Sequence, residues 1–217
     1  MNRQEIKTLI CIGSNCIASD LTSSLEIRFP SPVDNFSSFN IWKSHLLFSG
    51  KIKKSLFKED YEVRPSTEFE KLNYYYFDRV FSFNHSFDIV HNDFENKKYQ
   101  IGLLRRIKNF KKYCNLAKDA DDLWFIYSLD NEDENIDNVF MKQIMDTLPD
   151  FCKERLICIG MRAKNQLFQK YFKYYLEFNE SEYKWHDKNH AKKIIKRYEE
   201  QYGLKFNIPL GEGELND

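Results

Sequence analysis

The sequence predicts an α/β protein, a single domain with a mostly parallel central sheet flanked by helices. Three observations carry this reading. Short apolar runs recur along the 217 residues, helical stretches lie between them, and glycine (7) and proline (5) are too scarce for linkers or disorder. Strands that alternate with helices need crossover connections, which place helices over the sheet and bury the strands on both faces.

Taken in order, Thr8 to Ile12 reads as a buried strand, too short and too rich in β-formers for a helix. Lys98 to Ala117 places Leu103, Leu104, Ile107, Phe110, Cys114 and Ala117 on one helical face. Asp122 to Leu129 (DLWFIYSL) is a second strand, and Arg155 to Ile159, closed by Gly160, is a third that mirrors the first. Tyr171 to Phe178 reads as a fourth. Ile136 to Phe151 and His190 to Gln201 have helical spacing, the latter stopped at Tyr202-Gly203.

Residues 29–95 break the rhythm. Pro30 and Pro32 prevent a regular element, Phe39 to Gly50 reads as a short helix, and Tyr74 to Phe87 is aromatic and β-prone. This is an irregular, aromatic-rich insertion after the first βα unit, suited to a pocket wall. The single domain spans 1–217, with 180–217 as a C-terminal helix and tail, and Asp130 to Asp137 (DNEDENID) reads as a solvated acidic loop.

Thirty-three basic and thirty-three acidic residues cancel, so charge gives no steer toward nucleic acid or an anionic membrane. With no apolar run long enough for a signal peptide or a membrane span, a cytoplasmic protein is expected. The five cysteines are irregularly spaced, which fits neither a disulfide framework nor a metal site, and no cofactor is expected from the residues.

The chemistry concentrates at Gly13-Ser14-Asn15-Cys16, where the first strand gives way to a helix. In an open parallel sheet, ligands bind beyond the carboxyl ends of the strands. The positive end of a helix lowers a thiol's pKa, Gly13 permits a sharp turn, and amides near Ser14 and Asn15 suit an oxyanion hole. The alternative is a Cys16 that caps a core helix. For a base, His91 stands in FDIVHNDF, where an apolar stretch ends, and precedes Asn92 and Asp93, either of which suits an orienting role. Asn92 and Asp93 equally suit a helix cap. A competing pair is Asp187 and His190, a D-x-x-H before a helix, the spacing that supplies acid and base in SGNH-type esterases. Asp187 is equally a helix cap. Lys97, Lys98, Arg105, Arg106, Lys108, Lys111 and Lys112 make a basic helix, by default a solvated face, with Arg105 and Arg106 suited to an anion.

The run CIGSNCIASDL, with Pro32-Val33-Asp34-Asn35, His91-Asn92-Asp93-Phe94 and Arg105-Arg106-Ile107-Lys108-Asn109-Phe110, resembles an uncharacterised, mainly bacterial family described as papain-like cysteine peptidases. The motifs match in order and approximate spacing over residues 6–160. Val33 and Asn35 replace that family's Phe and Trp, and Asn92 intervenes between His91 and Asp93. The resemblance implies a Cys16 nucleophile, a His91 base and an orienting acid at Asp93 or Asp34. It implies a hydrolase acting on a peptide, amide or acyl substrate. Over a shorter stretch the opening is also similar to acetyltransferases of capsular-polysaccharide synthesis, which implies coenzyme A as acyl donor. A non-catalytic scaffold with an inert cysteine is the third expectation.

Overall fold

The computed structural model describes residues 4–13, 16–29, 31, 41, 44–49, 61–65, 74–78, 97–129, 131–161, 164–179, 181 and 183–209. In chain order the elements begin with β1 (Gln4–Ile6), β2 (Thr8–Cys11), α1 (Cys16–Ser24), β3 (Arg28–Phe29), α2 (Ser44–Ser49), β4 (Tyr61–Pro65) and β5 (Tyr74–Asp78). They continue with α3 (Lys97–Ala117), β6 (Leu123–Ser128), a 3-10 helix (Asn131–Asn135), α4 (Asn138–Thr147), α5 (Asp150–Lys153) and β7 (Leu156–Gly160). The last are α6 (Gln166–Tyr171), β8 (Tyr174–Glu177), α7 (Lys188–Tyr202) and β9 (Leu204–Phe206).

Five strands form one parallel sheet in the order β3-β2-β6-β7-β8. Alternation along each strand divides the core in two. Leu9, Cys11, Trp124, Ile126, Ile157 and Ile159 face α1 and α7, which supply Ile17, Leu21, Ile194 and Tyr198. Ile10, Phe125, Tyr127, Leu156 and Cys158 face the other way, toward Leu47 of α2, Ile107 and Phe110 of α3, Met141 of α4 and Phe168 of α6. The expected helix-covered parallel sheet is therefore present. Helix α1 shows why packing decides it. Ser19, Asp20, Thr22 and Ser23 each disfavour helix by up to about 0.7 kcal/mol, whereas burying Ile17 and Leu21 is worth roughly 1.5–3 kcal/mol apiece.

Among the described residues there are two smaller sheets: β1 pairs with β9 in parallel, and β4 with β5 as an antiparallel pair inside residues 29–95. The expected short helix and β-prone stretch of that insertion appear as α2 and β5. Among the described residues no helix is long and apolar enough to cross a membrane.

Three local expectations need correction. Ile136 to Phe151 is not one helix, because Pro149 forces Leu148 into extended backbone (φ −76°, ψ 136°) and separates α4 from α5. The fourth strand starts at Tyr174, since Tyr171 closes α6, whose cap Asn165 accepts from Leu167 N. The acidic segment forms a 3-10 helix rather than a loop, and although Glu134, Asn135 and Asp137 are exposed it is not solvated throughout. Its 3-10 helix buries Asp133 completely, and Asp133 Oδ2 accepts from Tyr127 Oη at 2.7 Å.

Gly160 ends β7 against the ring of Tyr175. A Cβ there would overlap Tyr175 Oη and stand 2.9 Å from Cζ. That ring is buried, and its hydroxyl donates to Glu177 Oε1 at 3.0 Å, so it does not yield freely. Gly160→Ala should therefore lower the unfolding free energy by about 1–3 kcal/mol, the range for an overpacked core. Urea titration of the two proteins checks it, and an unchanged midpoint would show that the ring swings aside without cost.

Candidate functional site

The chain leaves β2 for β3 on one side and returns to β6 on the other, with α1 and α3 on opposite faces. Neighbouring loops therefore diverge at the carboxyl ends of β2 and β6. That crevice is where doubly wound sheets hold their ligands. Gly13 sits there at φ +134°, a conformation that suits a residue without a side chain. Cys16 is the first residue of α1. Ser128 ends β6 on the α1 side, in step with Trp124 and Ile126. Its Oγ is fully buried without a hydrogen-bond partner, an arrangement that costs about 1–3 kcal/mol in a folded protein.

One turn along α1 from Cys16 stands Asp20, whose side chain is only 5% exposed. Its Oδ2 accepts from Tyr183 Oη at 2.7 Å and from the backbone N–H of His186 at 3.1 Å. Its Oδ1 lies 2.5 Å from Nδ1 of His186. No hydrogen bond is aligned on that oxygen, so Oδ1 and Nδ1 meet as a close polar contact. Burial and the acceptor at Asp20 push the Tyr183 phenol far up, which keeps it a donor. Tyr183 Oη also stands 3.5 Å from Ile17 O, so the 183–186 loop lies over the first turn of α1. His186 holds φ +57°, uncommon for a residue other than glycine, while its side chain is 85% exposed. A buried carboxylate beside Nδ1 of a solvent-facing imidazole is the relation that prepares a histidine for proton transfer.

Asp187 and His190 are described in full. Asp187 is the N-cap of α7, and its Oδ1 accepts from His190 N at 3.0 Å. That backbone hydrogen bond holds the Asp187 carboxyl below its usual range. The imidazole of His190 packs edge-on against Tyr183, with centroids 5.4 Å apart. Asp187 therefore grips the backbone of His190, and Asp20 takes up His186. His91, Asp93, Asp34, Ser14 and Asn15 lie outside the described residues. Arg105 of α3 is exposed and Arg106 half-buried, with Lys108, Lys111 and Lys112 exposed on the same helix, as a solvated face requires.

The other cysteines are placed as inert thiols. Burial pushes Cys114 up to about 12 and Cys152 and Cys158 well above the ordinary thiol range, and Cys11 is buried beneath α1. Among the described residues no cluster could hold a metal ion. A cavity of about 460 Å³ lies at the opposite, amino edge of the sheet, lined by Gln4, Asp121, Lys153, Arg155 and Lys173 among others. Its buried Arg155 is spent on main-chain carbonyls, with Nη1 2.5 Å from Ala120 O, so we place the chemistry at the carboxyl edge.

Sequence reasoning did not single out Asp20 or His186. A local signal exists for Asp20, an acid at i+4 from Cys16 beside the apolar Ile17, Ala18 and Leu21. Nothing local marks His186 as its partner. No family model, no curated protein and no solved structure matches the chain.

Proposed function

We propose that this protein is a cysteine-dependent hydrolase that attacks an acyl or amide carbonyl with the thiolate of Cys16. The observation that carries the reading is the position of Cys16, first residue of α1 at the switch point of a parallel sheet. Amides in the first turn of a helix have no intrahelical acceptor, and the positive helix end favours a thiolate and a developing oxyanion. The thiol proton passes to a histidine, and the thiolate adds to the carbonyl carbon. Collapse of the tetrahedral adduct then expels an amine or alcohol, which takes that proton. Water, deprotonated by the same histidine, cleaves the thioester and frees the acid. Acyl transfer from coenzyme A shares the first half of this sequence and differs in what receives the acyl group. Four free thiols among the described residues accord with a reducing compartment such as the cytoplasm.

The test uses p-nitrophenyl acetate as acyl donor. Nitrophenol should appear in a burst, with the acetyl group located on residue 16 by peptide mass spectrometry. Cys16→Ser should lower the burst rate on the order of 10³-fold or more. An acetyl group found on other residues and never on Cys16 would sink the reading.

A further inference from the structure

We infer that His186 is the base that serves Cys16, and that Asp20 is the residue that positions it. The inference deepens the cysteine-hydrolase reading and rests on it. Residues four apart on a helix share a face, about 5–6 Å between Cβ atoms, so Cys16 and Asp20 lie in one row of α1. A helical side chain leans toward the helix amino end, which carries the Asp20 carboxylate back over the turn that Cys16 opens. Tyr183 marks the same place independently, bridging Asp20 Oδ2 and Ile17 O.

The loop shows what the arrangement costs. His186 takes a left-handed backbone, a conformation worth about 1–2 kcal/mol for residues other than glycine. Asp20 is buried and takes up both the His186 backbone N–H and its Nδ1. A loop that needed only to be anchored would have glycine at 186 and the backbone hydrogen bond alone. The imidazole on Asp20 leaves Nε2 on the solvent side, the ring being largely exposed. Among the described residues, Lys188 of α7 also meets Glu26, just after α1, at 3.3 Å.

In the reaction the Cys16 S–H proton goes to Nε2 of His186, giving a thiolate and an imidazolium that the Asp20 carboxylate stabilises. The thiolate forms the C–S bond as the carbonyl electron pair moves to oxygen. When that pair returns and the C–N or C–O bond breaks, the leaving group takes the proton from Nε2, and His186 is neutral again.

The experiment follows iodoacetamide alkylation of Cys16 in the full chain, read by peptide mass spectrometry from pH 5 to 9. In the unsubstituted protein Cys16 should react at pH 7 at least about tenfold faster than free cysteine, with the rate held well below pH 8. His186→Asn keeps a residue that tolerates positive φ. It should slow Cys16 about tenfold at pH 7 and move the profile to alkaline pH, with the thermal midpoint held. Asp20→Asn, which preserves size and the acceptor for Tyr183, should slow it several-fold. His190→Ala should leave the rate unchanged. A fast Cys16 that His186→Asn does not slow, or that His190→Ala slows instead, overturns the assignment and leaves the nucleophile standing. A Cys16 no faster than free cysteine overturns both.

Discussion

Phe168→Ala should lose about 3–5 kcal/mol of stability, the usual cost of emptying a buried aromatic site. Phe168 is the fully buried residue of α6, a helix of only six residues between β7 and β8. Its ring stacks on Tyr127 at 6.3 Å and meets Phe172 at 5.5 Å and Tyr175 at 6.5 Å. So short a helix has little stability of its own, and this ring supplies what holds it down. Equilibrium unfolding in guanidinium should show the loss as a lower midpoint with an unchanged slope. A loss below about 1 kcal/mol would mean that the neighbouring rings refill the site.

Tyr127→Phe should lose about 3 kcal/mol although it removes a single oxygen. That hydroxyl accepts from the Ile41 backbone N–H at 2.8 Å and donates to Asp133 Oδ2 at 2.7 Å. Both partners are buried, and a buried carboxylate deprived of a donor is expensive. Because Tyr127 Oη ties Ile41 of the 29–95 insertion to the sheet, protease cleavage within that insertion should speed up as well. An unchanged unfolding free energy would place water where the hydroxyl stood. Tyr127 and Phe168 are in contact, so the double substitution should cost less than the two single losses together.

The strands β2, β6 and β7 were legible because each is a compact apolar run of β-formers bounded by polar or small residues. Helix α6 was not. Its six residues, QLFQKY, run straight into aromatic residues that read as strand, and the cap at Asn165 has a meaning only once Leu167 N is placed beside it. DNEDENID looked solvated because five of its eight residues are acidic. The burial of Asp133 depends on a tyrosine hydroxyl from the preceding strand, and charge alone does not tell it. The proposed site divides in the same way. Cys16 could be found from a strand, a glycine and a helix start, all within nine residues. Asp20 and His186 meet across 166 positions, and contacts at that separation leave no periodicity in the sequence.

The pairing of β1 with β9 bears on how the protein is made. Residues 4–6 emerge from the ribosome long before their register partners, residues 204–206, which lie roughly 200 positions later. Until those arrive, the amino-terminal strand keeps an open edge, while β2, β6 and β7 can already join. Closing so long a loop is slow and late, so β1 docks on β9 after the central sheet has joined. Nascent chains stalled before residue 204 should hold the central sheet and lack this clasp.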